Sequence, residues 1–199
     1  MNPSDWPDRL FVVDTEGNGQ QPPELVELAV VPVRAGEVSQ GGARSTLLRP
    51  ATAITPRATE FHGIGNADVA DAPTWGQIAE RVRVMLDGAW IVAHNAHVDY
   101  GHLAELMPGW RPAGVVDTLR LSRHVWGKAT RHSLDALVVH AGLDTGAVPG
   151  RRHRAAFDAH VTALLLGRLA GHFPRWSDLV AVGVPPGRPG GSEVEATLW

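Results

Sequence analysis

Two periods of hydrophobic and polar positions succeed one another along the chain. Leu10-Phe11-Val12-Val13 is an apolar run closed by Asp14-Thr15-Glu16-Gly17, and so short a run between polar and glycine positions predicts a central strand covered on both faces. Gly17 to Pro23 is turn material, Leu25 to Val33 a second apolar strand, and Arg34-Ala35-Gly36-Glu37 a tight turn into a third strand ending near Leu47-Leu48, which makes an antiparallel meander. The helical period then takes over. Pro56 to His62 reads as a short helix, and Pro73 to Leu86 as a longer one whose Trp75, Ile78, Ala79, Val82 and Leu86 form a buried stripe. Trp90 to Ala93 and Val115 to Asp117 are compact strands, each followed by a helix, Ala96 to Leu106 and Thr118 to Trp126. Ser133 to Ala141 is a helix capped by His132 or Ser133 and closed by Gly142, and Ala155 to Phe173 is the last. Gly183 to Gly191 is rich in Pro and Gly, the composition of a flexible tail. Three antiparallel strands followed by alternating helices and strands predict an α/β fold with one mixed sheet flanked by helices.

Length and composition narrow this picture. With 199 residues one sizeable core is expected, divided here into a domain over 1–175 and a Pro/Gly-rich tail over 176–199. Cysteine is absent, which excludes disulfide-stapled scaffolds and thiolate metal sites. The start, Met1-Asn2-Pro3-Ser4-Asp5, has no basic region before a long apolar one, and no apolar run approaches the ~18 residues of a membrane span, so the expected location is cytoplasmic, with no membrane partner. A net charge of −3 gives no global attraction to nucleic acid, so such a partner requires a local site. Lys128 is the only lysine among many arginines. Guanidinium suits bidentate phosphate contacts, although a GC-rich genome produces the same bias and carries the larger weight.

The polar positions inside the apolar pattern carry the candidate chemistry. Alternation along a strand puts Asp14 and Glu16 on one side and Thr15 on the other. Two neighbouring carboxylates repel unless a cation lies between them, and oxygen ligands without cysteine favour Mg2+ or Mn2+ over structural zinc. Taken alone, Asp-x-Glu more often simply ends a strand and faces water. His94-Asn95-Ala96-His97-Val98-Asp99 follows a core strand, with Asn95 suited to cap the next helix. Asp99 therefore lies just past the carboxyl end of that strand, where ligand sites of α/β sheets gather. His94, His97, Asp99 and His102 also read as a zinc cluster, but a strand followed by a helix does not converge all four. Asp158 sits among Ala155, Ala156, Phe157, Val161, Leu164 and Leu165, where an unpaired carboxylate is penalised unless it meets a cation or faces a cleft. His153 precedes that helix on a loop, and imidazole is the side chain suited to general-base work near neutral pH. Beside Arg151, Arg152 and Arg154 it equally fits a solvated charged turn.

Jointly, Asp14-x-Glu16, Asp99 in a His-Asn-Ala-x-x-Asp context, and His153 with Asp158 resemble the DEDDh, or DnaQ-like, family of 3′–5′ exonucleases. The resemblance runs from about Leu10 to Leu169 and includes His62-Gly63-Ile64 and Asp117-Thr118. It implies a ribonuclease H-like mixed five-stranded sheet, with three antiparallel strands and then parallel ones, flanked by helices. It also implies that Asp14, Glu16 and Asp158 hold one divalent ion, that Asp14 bridges to a second, and that Asp99 acts largely through metal-bound water. His153 is then the general base of a two-metal hydrolysis releasing nucleoside 5′-monophosphates, with Mg2+ or Mn2+ as cofactor. Thr15, Gly17, His62 and Asn95 are expected around the terminal nucleotide. Asn18 stands where many members have Thr, and Val98 where many have Phe; both departures touch that nucleotide pocket. A freestanding exonuclease acting on single-stranded DNA 3′ ends in replication or repair is the implied function. Its rivals are an RNA-directed enzyme of the same family and a catalytically silent polymerase-accessory subunit, although no acid and no catalytic His is lost. Glu195-Ala196-Thr197-Leu198-Trp199 resembles the peptides by which bacterial replication proteins dock on the sliding clamp, with Glu195 in place of Gln and Ala196 in place of Leu. The alternative is that Trp199 folds back on the protein's own surface or is simply disordered.

Overall fold

A computed structural model describes residues 1–39 and 43–191. Its sheet is built from β1 (Leu10–Gly17), β2 (Leu25–Arg34), β3 (Glu37–Val38), β4 (Arg44–Leu47), β5 (Trp90–Ala93) and β6 (Gly114–Asp117). β1 lies centrally, antiparallel to β2 and parallel to β5, which in turn pairs parallel with β6. The sheet is therefore mixed, as the sequence implies, with six strands among the described residues where five were expected. The single third strand is two short pieces sharing one edge of β2: β3 pairs with its Val33 end and β4 with its Glu27 end. Ala35 and Gly36, both at positive φ, make the two-residue turn that folds β3 directly back.

Among the described residues, seven α-helices accompany the sheet: α1 (Pro56–His62), α2 (Trp75–Leu86), α3 (His97–Leu106), α4 (Thr118–Trp126), α5 (Leu134–Ala141), α6 (Ala155–Ala170) and α7 (Trp176–Gly183). Alternation along the strands divides the core in two. Leu10, Val12, Ala29, Val31 and Val33 face α6, whose Ala155, Ala159 and Ala163 are small enough to bring its backbone close. Gly167 also allows a close approach, since a Cβ there would stand 2.8 Å from the Gly36 carbonyl oxygen. Val13, Leu28, Val30, Ile91 and Val115 face the opposite way, against Val82 and Leu86 of α2 and Leu103 of α3. The carboxyl end of β1 is thus approached by α6 from one side and by α3 from the other.

Residues 176–191, expected as tail, are instead packed. α7 buries Leu179, Val184 is buried just beyond it, and the following strap runs along β6, where the Val115 amide donates to the Pro189 carbonyl (3.0 Å). Arg188 lies over the Tyr100 ring, 4.8 Å from its centroid, and its Nη2 is 2.9 Å from His97 Nδ1. A Pro/Gly composition reads as solvated, but the unpaired edge of β6 offers those backbone groups partners. Glu195–Trp199 lies outside the described residues. Among those described, no helix is long and apolar enough to cross a membrane.

Candidate active site

Asp14 and Glu16 point to the α6 side of β1, and Asp158 reaches them from the first turn of α6; their carboxylate oxygens lie within 4.8 Å of one another. Only the family resemblance implied this convergence. Burial, followed by repulsion from Asp99, Asp158, Glu16 and Glu27, holds the Asp14 carboxyl well above the usual carboxylate range. Burial and then Asp158 push Glu16 up to about 7. Burial also raises Asp158, opposed by the His153 backbone N–H that donates to its Oδ2 (3.0 Å). Three carboxylates crowded together, Glu16 buried and Asp14 and Asp158 half-buried, could hold a hard divalent cation.

Asp99 stands outside that trio. It comes from α3 on the other side of the sheet, where Thr15 Oγ1 donates to its Oδ1 (2.9 Å). Burial pushes its carboxyl up to about 7, against the lowering effect of the Thr15 bond. Thr15, expected at the terminal nucleotide, is thereby a partner of Asp99.

His153 borders an open cleft of about 820 Å³ whose wall includes Glu16, Gly17, Gln20, Arg57 and Phe61. The His153 backbone is left-handed (φ 58°), and its ring packs on Phe61 with centroids 4.2 Å apart. Phe61 is 60% exposed. One exposed aromatic carries no signal in a sequence, and its place beside His153 is set by the fold. A second groove, of about 610 Å³ between β4 and α2, contains no carboxylate among its lining residues.

Other expected contacts take different places. His62 is buried at 2% exposure; its Nδ1 accepts from the Ile64 amide (3.0 Å) and its Nε2 donates to the Gly17 carbonyl (3.2 Å). With both nitrogens engaged it holds Gly17 while lining the same cleft, and burial lowers its pKa. Asn95 does not cap α3: the residue before that helix is Ala96, which makes no side-chain cap bond. Asn95 instead adopts φ 66°, its amide donating to Asp117 Oδ1 (2.9 Å). Asp117 also receives the Leu119 amide (2.8 Å) and caps α4. Left-handed backbone is comparatively tolerable for Asn, and it leaves the side chain at the surface. Asn18 is fully buried, its amide group bonded to Thr52, Gln20 and Glu24, so this departure shapes the β1–β2 connection. Val98 is exposed. The zinc cluster does not form, because His94 spends its two nitrogens on Thr118 Oγ1 (3.0 Å) and the His132 carbonyl (2.9 Å).

Comparison with known proteins agrees with this geometry. A family model described as Exonuclease matches residues 11–166. The chain is 38% identical over 167 residues to a DNA polymerase III subunit epsilon-like protein of Rhodobacter capsulatus, covering 80% of this chain and 23% of that one. It is 35% identical over 158 residues to exodeoxyribonuclease 10 of Escherichia coli, covering 79% and 66%. The chain thus spans under a quarter of the first relative and about two thirds of the second. The solved structure of Exonuclease X in complex with 5′ overhanging duplex DNA matches with a TM-score of 0.68 at 34% identity, over 82% of this chain and 92% of that one. With a family match spanning most of its length and the acids of β1 and α6 brought together, this chain belongs to the exonuclease family, of the DEDDh or DnaQ-like type.

Proposed function

We propose that the protein is a metal-dependent 3′–5′ exonuclease that removes nucleoside 5′-monophosphates from DNA 3′ ends, preferring single strands, in replication or repair. The observation that carries this reading is the convergence of Asp14, Glu16 and Asp158 beside a cleft bordered by His153. In this reading Asp14, Glu16 and Asp158 would hold one divalent ion, with Asp14 and Asp99 serving a second. Mg2+ or Mn2+ held there would supply positive charge against that of the phosphate. The chain's own groups do the rest. A ring nitrogen of His153 takes the proton of the attacking water. The exposed ring of Phe61 offers the terminal base an apolar face, while the backbone at Thr15 to Gly17 and the side chain of Asn95 border the nucleotide. His62 acts through Gly17. Fixed carboxylates and cations placed in this way let a chain of net charge −3 accept a polyanion without a basic surface.

The DNA preference is supported by the exodeoxyribonuclease among the relatives and by the DNA in the matched solved structure. No residue of this chain is identified as reading a 2′-hydroxyl. The clamp-docking expectation rests on the sequence of Glu195–Trp199 alone. The deciding experiment compares single-stranded DNA and RNA of equal length, labelled at either end, with and without chelator. Stepwise shortening from the 3′ end of DNA, abolished by chelation and restored by Mg2+ or Mn2+, is the expected result. Undiminished activity in chelator, or release from the 5′ end, overturns the proposal, and a faster rate on RNA transfers it to the RNA-directed reading.

A further inference from the structure

A fourth carboxylate lies against the site on the α6 side. Glu27 of β2 is the antiparallel partner of Glu16 and faces the same way, at 3% exposure. Its charge adds to the repulsion on Asp14, Glu16 and Asp158, so on charge alone this is a poor position for an acid. What it gains is a grip on α6. Arg154 Nε and Nη2 donate to its two oxygens (2.9 and 3.0 Å), and the Ala155 amide donates to Oε2 (2.9 Å). Arg154 occupies the N-cap position with extended backbone and no side-chain cap bond of its own. The missing acceptor at the start of α6 is therefore supplied from the sheet, by Glu27.

The neighbouring arginines have protein partners as well. Arg151 Nη2 contacts the His62 carbonyl (3.4 Å) at the end of α1, where its guanidinium fills the space that a Cβ on Gly63 would need. Arg152 pairs with Asp135 of α5. His153 is held between these anchors in a left-handed conformation, its amide bonded to Asp158. The basic loop is thus tied to three separate elements.

We infer that the Glu27–Arg154 pair is a positioning device: by bolting the first turn of α6 to β2, it sets the placement of both His153 and Asp158 relative to Asp14 and Glu16. This rests on the proposed exonuclease reading for its kinetic consequence but not for its structural one. A buried ion pair is weak evidence for stability, since apolar replacements are often neutral, whereas a bidentate fork fixes orientation in a way that a lysine cannot reproduce.

The test uses the full chain with Arg154→Lys and Glu27→Gln. In both, amide hydrogen exchange at His153 and Ala155 to Asp158 should quicken by about tenfold or more while the amides of β1 and β5 keep parental protection. The kcat on a single-stranded oligonucleotide should fall by about 10- to 100-fold with KM nearly unchanged, counted per folded molecule, because misplacement of reacting groups costs rate rather than binding. The double variant should cost no more than the worse single one. If the parent has no nuclease activity the proposed function fails, and the exchange experiment still decides the positioning role. Parental exchange at 153–158 in folded Arg154→Lys and Glu27→Gln overturns the inference, as does a kcat loss that merely follows the folded fraction.

Discussion

The two sides of the β1 carboxyl end handle buried charge differently. On the α6 side Asp14, Glu16 and Asp158 crowd together, and Glu27 beside them is paired with the Arg154 guanidinium. On the α3 side Asp99 is also buried and repels Asp14, but it accepts a bond from the neutral donor Thr15. The first arrangement is unfavourable until positive charge arrives; in the second the same cost is partly offset by a hydrogen bond within the protein. Side-chain alternation in one strand thus gives two consecutive residues different tasks: Asp14 joins the repelling trio, and Thr15 bonds Asp99 on the far face.

Removing a member of the crowded side tests this contrast most severely. Asp14→Asn and Asp158→Asn should each lose about 10³-fold or more in turnover, the loss expected when several kcal/mol of ion-supplied stabilisation disappear, while the thermal midpoint measured in chelator holds or rises. A variant that loses activity only because it unfolds would contradict the contrast. His153→Ala should lower kcat by about 10²–10⁴-fold and alter the pH–rate profile, with Mn2+ binding by calorimetry retained; an unchanged profile would place the base elsewhere.

The next effect is on stability. Folded Glu16 is pushed to about 7 from an ordinary 4.5, so between those values the folded state binds a proton that the unfolded chain releases. Without metal, its contribution therefore makes the protein less stable as pH rises from about 4.5 to about 7, and the cost is complete above that. Glu16→Gln should accordingly be more stable than the parent at pH 8 in chelator, by on the order of 2–3 kcal/mol. The advantage should vanish near pH 4.5, and added Mg2+ should shrink it. Denaturant melts across this range check the sign, and a gain that grows on acidification would refute it.

The smallest effect belongs to the α3 side. Thr15→Val removes one bond to a carboxylate, worth about 1.5 kcal/mol or roughly tenfold in rate. Because that bond lowers the Asp99 pKa from an already raised position of about 7, its loss should move the acid limb of the pH–rate profile upward. A fixed limb would mean that Thr15 does not act through Asp99.

Much of this architecture is legible in the order of residues. The apolar runs at Leu10, Leu25, Trp90 and Val115 become strands, and the helical stripe from Trp75 to Leu86 becomes α2. These features depend on the local period of apolar positions, which a strand or helix must satisfy wherever it sits. The third strand was not legible as two pieces, since the break depends on which stretch of β2 each piece meets. The flexible-tail reading missed how 176–191 would pack, because composition does not show that β6 has an edge to fill.

By itself the sequence determined that Asp14 and Glu16 share a face, that Asp99 follows the carboxyl end of a strand, and that His153 precedes the helix bearing Asp158, because each follows from spacing along one element. Only the tertiary structure decided that Asp158 joins Asp14 and Glu16 while Asp99 approaches from the opposite side, that His62 and Asn18 are buried supports, that Phe61 backs His153, and that Glu27 caps α6. Each of these depends on strand register and on which helix covers which face. Those are long-range choices, settled when Ala155, Ala159 and Ala163 let α6 close over β1 and β2.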